Sequence, residues 1–158
     1  MKPVLWFRIS AVLLVVFAVG HTFGFLTFHP HSEEGRAVWA AMNNVRFSEG
    51  SSTFSYGNFY LGFGLSISAF QFFEAWLVWM LASAARRGET VARTIVWGLF
   101  VLQIIGLGLS LRYFSVGPAA LSGVAAFCLA MAGLAVRRPV SFTGGHSKHS
   151  TKSSFETA

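Results

Sequence analysis

The sequence predicts an all-α protein, a four-helix transmembrane bundle with a short amphipathic helix in its first loop. Three observations carry that prediction. Hydrophobic residues make up 54% of the 158-residue chain and charged residues only 11%, where a soluble domain carries about 25% charge. The apolar residues gather in four runs, at about 5–28, 58–85, 91–114 and 117–136, each close to the ~20 residues that cross a bilayer as a helix. The basic residues stand between or beside these runs. The net charge of +6 is therefore read as orienting a membrane protein, and nucleic acid is not an expected partner. Residues 1–136 form one transmembrane domain. The Ser/Thr/Lys-rich stretch 137–158, with Pro139 at its start, is expected to be a disordered cytoplasmic tail.

The first run begins after Lys2 and stays apolar through Phe28. That is too long for the apolar core of a signal peptide, so a retained span is favoured over a cleaved one. Near its end stands Gly20-His21-Thr22-Phe23-Gly24. Two glycines one turn apart predict close approach by a neighbouring helix. His21 borders that face and is read either as a packing residue, hydrogen-bonded to a neighbouring helix or facing interface water, or as the candidate general acid/base or ligand contact, because imidazole titrates near neutral pH. His29 and His31 flank Pro30 without the close spacing of a metal-ligand pair, so no metal site is expected. Arg8, about one turn into the run, is the natural partner for Glu74 of the second run; the alternative is that Arg8 reaches the lipid phosphates and Glu74 stays protonated.

The first loop is long for a connection without structure. Its stretch from Ser32 to Phe47 reads as a short helix. Ser32 caps it, Glu33 and Glu34 favour its N-terminal end, and Val38, Trp39, Met42 and Val45 form one apolar face. Such a helix lies on the membrane surface or lids the bundle.

In the second run, Tyr60, Gly64, Ser68, Gln71 and Glu74 or Ala75 recur at three- and four-residue steps. They form a small and polar stripe that must face the bundle interior, since lipid satisfies no hydrogen bonds. Glu74 is the sharpest residue of the chain. It lies about 24 Å along the helix from Asn58, a depth in the cytoplasmic third of the bilayer, where an unpaired charge costs a few kcal/mol or more. In the third run Gln103, Gly106 and Ser110 repeat the small and polar spacing. An amide pair between Gln103 and Gln71 is the expected cross-helix contact. Arg112 and Tyr113 close this run. The fourth run, rich in alanine and glycine, reads as a packing helix, with its lone cysteine, Cys128, as an apolar filler. A single cysteine excludes an intrachain disulfide and a Cys-x-x-Cys redox pair.

Lysine and arginine counts orient the chain. Lys2, Arg8, Arg86, Arg87, Arg93, Arg137, Arg138, Lys148 and Lys152 fall on one side. The first loop has only Arg36 and Arg46 against Glu33, Glu34 and Glu49, and the third loop only Arg112. Both termini are therefore expected in the cytoplasm.

The His-Thr-x-Gly of His21, Thr22 and Gly24, the loop pair Ala41-Met42, and Phe59, Gly62, Phe63 and Gly64 at the start of the second run resemble a family of small bacterial four-helix membrane proteins. The resemblance covers about the first half of the chain. It implies the architecture and a multi-pass location in the bacterial plasma membrane, and it implies no activity. Where that family has Tyr-Trp-Asp-Phe-Tyr, this chain has Tyr56, Gly57, Asn58, Phe59 and Tyr60. If the aspartate partners the motif histidine, Asn58 cannot ionise in its place, and an acid–base dyad loses its acid. In size and helix count the chain is also similar to DoxX-like proteins and to membrane eicosanoid and glutathione enzymes, but it lacks the arginine-rich substrate motif of the latter.

The function these residues favour is the binding, or the binding and transformation, of a small lipophilic molecule in the outer half of the bundle. His21, Asn58, Tyr60 and Arg112 supply its polar contacts, and Phe25, Phe59 and Phe63 its walls. Arg8, Gln71, Glu74 and Gln103 are the intramembrane polar set. An accessory subunit acting through its glycine faces is the alternative, and a small transporter or channel the third. The expected partners are the lipid bilayer and a lipophilic small molecule, with a homo-oligomer left open. No cofactor is legible.

Overall fold

The computed structural model describes residues 3–136. In chain order it contains α1 (Pro3–Leu26), α2 (Glu33–Asn44), the strands β1 (Arg46–Glu49) and β2 (Ser52–Ser55), α3 (Tyr56–Arg86), α4 (Val91–Tyr113) and α5 (Val116–Ala135). The predicted tail 137–158, Lys2 and the basic residues of the tail lie outside the described residues. The helices α1, α3, α4 and α5 are each long and apolar enough to cross a membrane. The chain is a membrane protein with several transmembrane helices, a helical bundle carrying one small hairpin.

The bundle is tight at one end and split at the other. α1 packs extensively on α3 and on α5, α4 packs on α5, and α3 touches α4 sparsely. The core gathers Phe7, Ala11 and Leu14 of α1, Val78 and Leu81 of α3, Val96 and Leu99 of α4, and Leu129 and Ala132 of α5. All lie toward the end where the chain starts and where α3 turns into α4. That turn holds the two helices together. Arg86 is the last helical residue, and Gly88 takes a φ of +73°. The Gly88 N–H donates to Ala85 and that of Glu89 to Ala84, the two bonds of a Schellman cap, which needs a left-handed residue. From this joint α3 and α4 diverge.

At the other end the first loop is ordered. Ser32 accepts a hydrogen bond from the Gly35 N–H and starts α2 as predicted. The sequence reading left the segment beyond α2 without strands. It forms an antiparallel hairpin in which Phe47 pairs with Phe54 and Glu49 with Ser52. Gly50, at φ +58°, opens the two-residue turn, where only glycine is at ease. Two four-residue strands are too short for a periodicity argument, but Glu49-Gly50-Ser51-Ser52 between two phenylalanines was a turn signal.

The expected close contact at Gly20 and Gly24 is absent. A Cβ on either glycine meets nothing within 4 Å, because neither faces a neighbouring helix. Close approach occurs instead at Gly64, where a Cβ would collide with the Phe25 ring, and at Gly133, where one would stand 3.1 Å from Trp97 and Val96.

Candidate functional site

A cavity of about 330 Å³ occupies the split between α3 and α4. α1 contributes Phe17 and His21 to its wall. α3 contributes Ile67, Phe70, Gln71 and Glu74, and α4 contributes residues from Leu102 to Ser110. Phe114, Pro118 and Ser122 close the far side. The rim residues Ile67, Phe70, Leu102, Ile105 and Leu109 are exposed, so the cavity opens sideways into the membrane phase. Its lining is overwhelmingly apolar, with a few polar groups at its floor and on its α1 side.

The floor is a carboxyl–amide pair. Gln103 Nε2 donates to Glu74 Oε2 at 2.9 Å. Glu74 is 5% exposed and Gln103 3%. Three buried oxygens of the lining have no partner among the described residues: Glu74 Oε1, Gln103 Oε1 and Gln71 Oε1. Gln103 lies close to the middle of the 23-residue α4, and Glu74 stands level with it. α3 has 31 residues, about 46 Å of helix.

Two expected pairings are corrected. Gln103 meets Glu74 instead of Gln71. Arg8 does not reach Glu74: its guanidinium lies over the Trp79 ring, 5.1 Å from the centroid. The only ion pair among the described residues is the exposed Arg87–Glu89 contact in the α3–α4 turn. Arg8 lies on the tight end of α1, where an aromatic face was nearer than the carboxylate.

His21 lies on the α1 side of the cavity. Its Nδ1 is 3.0 Å from Ser68 Oγ, and Thr22 Oγ1 is 2.8 Å from the same oxygen and 2.7 Å from the Ala18 carbonyl. Thr22 has one hydroxyl proton for two acceptors. Given to Ser68, it lets the Ser68 hydroxyl donate to Nδ1. Given to Ala18, it leaves Ser68 to donate to Thr22 and Nδ1–H to donate to Ser68. The imidazole tautomer is thus tied to a relay of two hydroxyls, Ser68 and Thr22, inside the bundle. Among the described residues Nε2 has no hydrogen-bond partner.

An aromatic column runs from His21 to the first loop. His21 stacks on Phe25 at 5.8 Å, Phe25 meets Tyr60 at 4.9 Å, and Tyr60 meets Trp39 of α2 edge-on at 5.9 Å. This column couples α2 to the wall of the cavity. Tyr60 and Phe25 therefore stand behind His21, outside the cavity lining.

The other residues singled out from the sequence lie elsewhere. Asn58 closes a capping box at the start of α3: its Oδ1 accepts from the Ser55 hydroxyl at 2.7 Å, and its N–H donates to Ser55 Oγ at 3.0 Å. An aspartate there would accept the same bond. Phe59 and Phe63 line, with Asn58, a separate shallow groove beside the hairpin. Arg112 lies beside the Tyr113 ring, 5.4 Å from its centroid. The structure thus brings together His21, Gln71, Glu74 and Gln103, and it sets Asn58, Phe59, Phe63 and Arg112 apart. Ser122 was missed because α5 was read for packing alone; it is the one serine within that otherwise apolar helix. Family models, curated proteins and solved structures yield no match to the chain.

Proposed function

We propose that this integral membrane protein binds a small lipophilic molecule in the cavity between α3 and α4. One observation carries the reading: an apolar cavity of about 330 Å³ opens to the membrane and ends on buried polar atoms that the described residues leave unpaired. Ligand sites are mostly apolar with a few placed polar groups, and run from about 300 to 1,000 Å³. His21 is the side chain best placed to exchange a proton with a bound molecule, because Nε2 is free while Nδ1 is held.

Both termini and the α3–α4 turn are assigned to the cytoplasm in the same reading, so the cavity lies in the outer half of the bilayer. Arg8, Arg86, Arg87 and Arg93 cluster at the tight end, and acidic side chains mark the hairpin end. The bacterial plasma membrane belongs to the proposal through the resemblance of the first half of the chain.

The test is retention. Protein purified in mild detergent is extracted and its lipophilic content compared, by mass spectrometry, with that of Gly106→Leu. Gly106 lines the cavity, and a Cβ there meets Ser122 Oγ at an ordinary 3.7 Å, so the larger side chain fills the space; unchanged helical circular dichroism checks that the variant folds. A defined molecule held by the parent and lost from the variant is expected. Equal content in both would overturn the reading.

A further inference from the structure

We propose that the cavity takes a lipophilic primary amine as its ammonium ion, a proposal that rests on the ligand-binding reading above. The buried polar atoms of the cavity lining that lack a partner among the described residues are all oxygens. Gln103 spends its Nε2 on Glu74 Oε2, which leaves Gln103 Oε1 as an acceptor. Glu74 Oε1 and Gln71 Oε1 are acceptors as well, and all three are buried without a partner among the described residues. Glu74 and Gln71 are three residues apart on α3, so their side chains leave the same face, and Gln103 faces them from α4.

The charge is unbalanced in the same place. Among the described residues no basic side chain pairs with Glu74. Arg8 lies on Trp79. His21, the other titratable side chain lining the cavity, is engaged through Nδ1 with Ser68, about 9 Å along α3 from the level of Glu74. α4 and α5 bring only neutral groups to the lining: Gln103, Ser110 and Ser122. Within a membrane-spanning bundle an unpaired carboxylate is costly.

A ligand that answers both features needs one positive charge and three hydrogen-bond donors on one small atom. A primary ammonium has them. A hydroxyl brings one donor and no charge. A carboxylate or phosphate would set acceptors against acceptors. The same argument excludes an aminophospholipid, whose phosphate would have to follow its amine to the cavity floor. The hydrocarbon part has its own place. Phe17, Phe70, Leu102 and Leu109 form the walls, and the lateral opening lets an amine arrive from the bilayer with its tail trailing between α3 and α4.

The experiment uses the full chain in phosphatidylcholine nanodiscs, titrated calorimetrically with decylamine, decanol and decanoate against empty discs. Decylamine is expected to bind once per chain, at least about tenfold tighter than decanol, and decanoate not at all. Glu74→Gln is expected to weaken decylamine at least about tenfold and decanol little, with the helical circular dichroism unchanged. Should Glu74→Gln not fold, Gln71→Leu, which removes one acceptor and no charge, is expected to weaken decylamine by about threefold to tenfold. Equal affinity for decylamine and decanol, or decylamine binding untouched by these variants, would overturn the amine assignment. If both then bind and Gly106→Leu abolishes both, the cavity reading survives without it. If none of the three binds and nothing co-purifies, both readings fall.

Discussion

Gly24 and Gly64 look alike in the sequence, each a glycine on a transmembrane helix, and the structure separates them. The Phe25 ring occupies the place a Cβ on Gly64 would take, whereas a Cβ on Gly24 meets open space. Phe25 is held between His21 and Tyr60, so it cannot swing away without opening the aromatic column. Forced overpacking costs about 1–3 kcal/mol. Gly64→Leu is therefore expected to lower stability by that amount in thermal unfolding in detergent. Gly24→Leu is expected to stay within about 0.5 kcal/mol of the parent, as surface changes do. A larger loss at Gly24 than at Gly64 would contradict this placement of α1 on α3. The same ring contacts decide the position of His21. Its neighbour across the helix pair is Ser68, two turns deeper along α3 than Tyr60, because Phe25 fills the space between.

At the scale of elements, α3 is the helix that organises the molecule, and both of its ends are chemically marked. Its start is the capping box of Ser55 and Asn58, fed directly by β2. Ser55 is buried, so the cap is not replaced by water when it is lost. Ser55→Ala is expected to cost about 0.5–2 kcal/mol, and amide exchange at Gly57 and Asn58 should quicken while exchange beyond Leu65 is unchanged. Unaltered exchange in the first turn would show that the hairpin alone holds this end. The other end is closed by Gly88 in its left-handed conformation. Between the two, α3 is long enough to carry the whole stripe from Tyr60 to Glu74.

For the molecule as a whole, the decisive feature is the contrast between its ends. Alanines on α3, α4 and α5 let the four helices close on Phe7, Leu14 and Leu129. Toward the hairpin α3 and α4 part, and the cavity opens between them. Charge follows the same axis, which carries the topology prediction. Four spans would put Pro3 and Val136 on one side of the membrane, and Ser51 and Thr90 on opposite sides. A membrane-impermeant maleimide applied to whole cells is expected to label Ser51→Cys and to spare Thr90→Cys until the membrane is permeabilised. Cys128 is buried in α5 and does not interfere. The reverse pattern would put the cavity in the inner half of the bilayer.

Four spans, the capped helix in the first loop and the inward polar stripe of α3 followed from the sequence by itself, because hydrophobic length, cap chemistry and a three- and four-residue period are local properties. The individual members of the polar set, His21, Gln71, Glu74 and Gln103, were legible for the same reason: lipid penalises each of them wherever it lies. Their partners were not. Glu74 meets Gln103 rather than Arg8, and His21 meets Ser68 rather than the start of α3. Both outcomes depend on how α3 slides past α1 and α4, and an offset of one turn, about 5.4 Å, changes every cross-helix pair. The cavity is likewise a tertiary property. It exists because α3 and α4 are joined at one end and parted at the other, and no residue along either helix announces the angle between them.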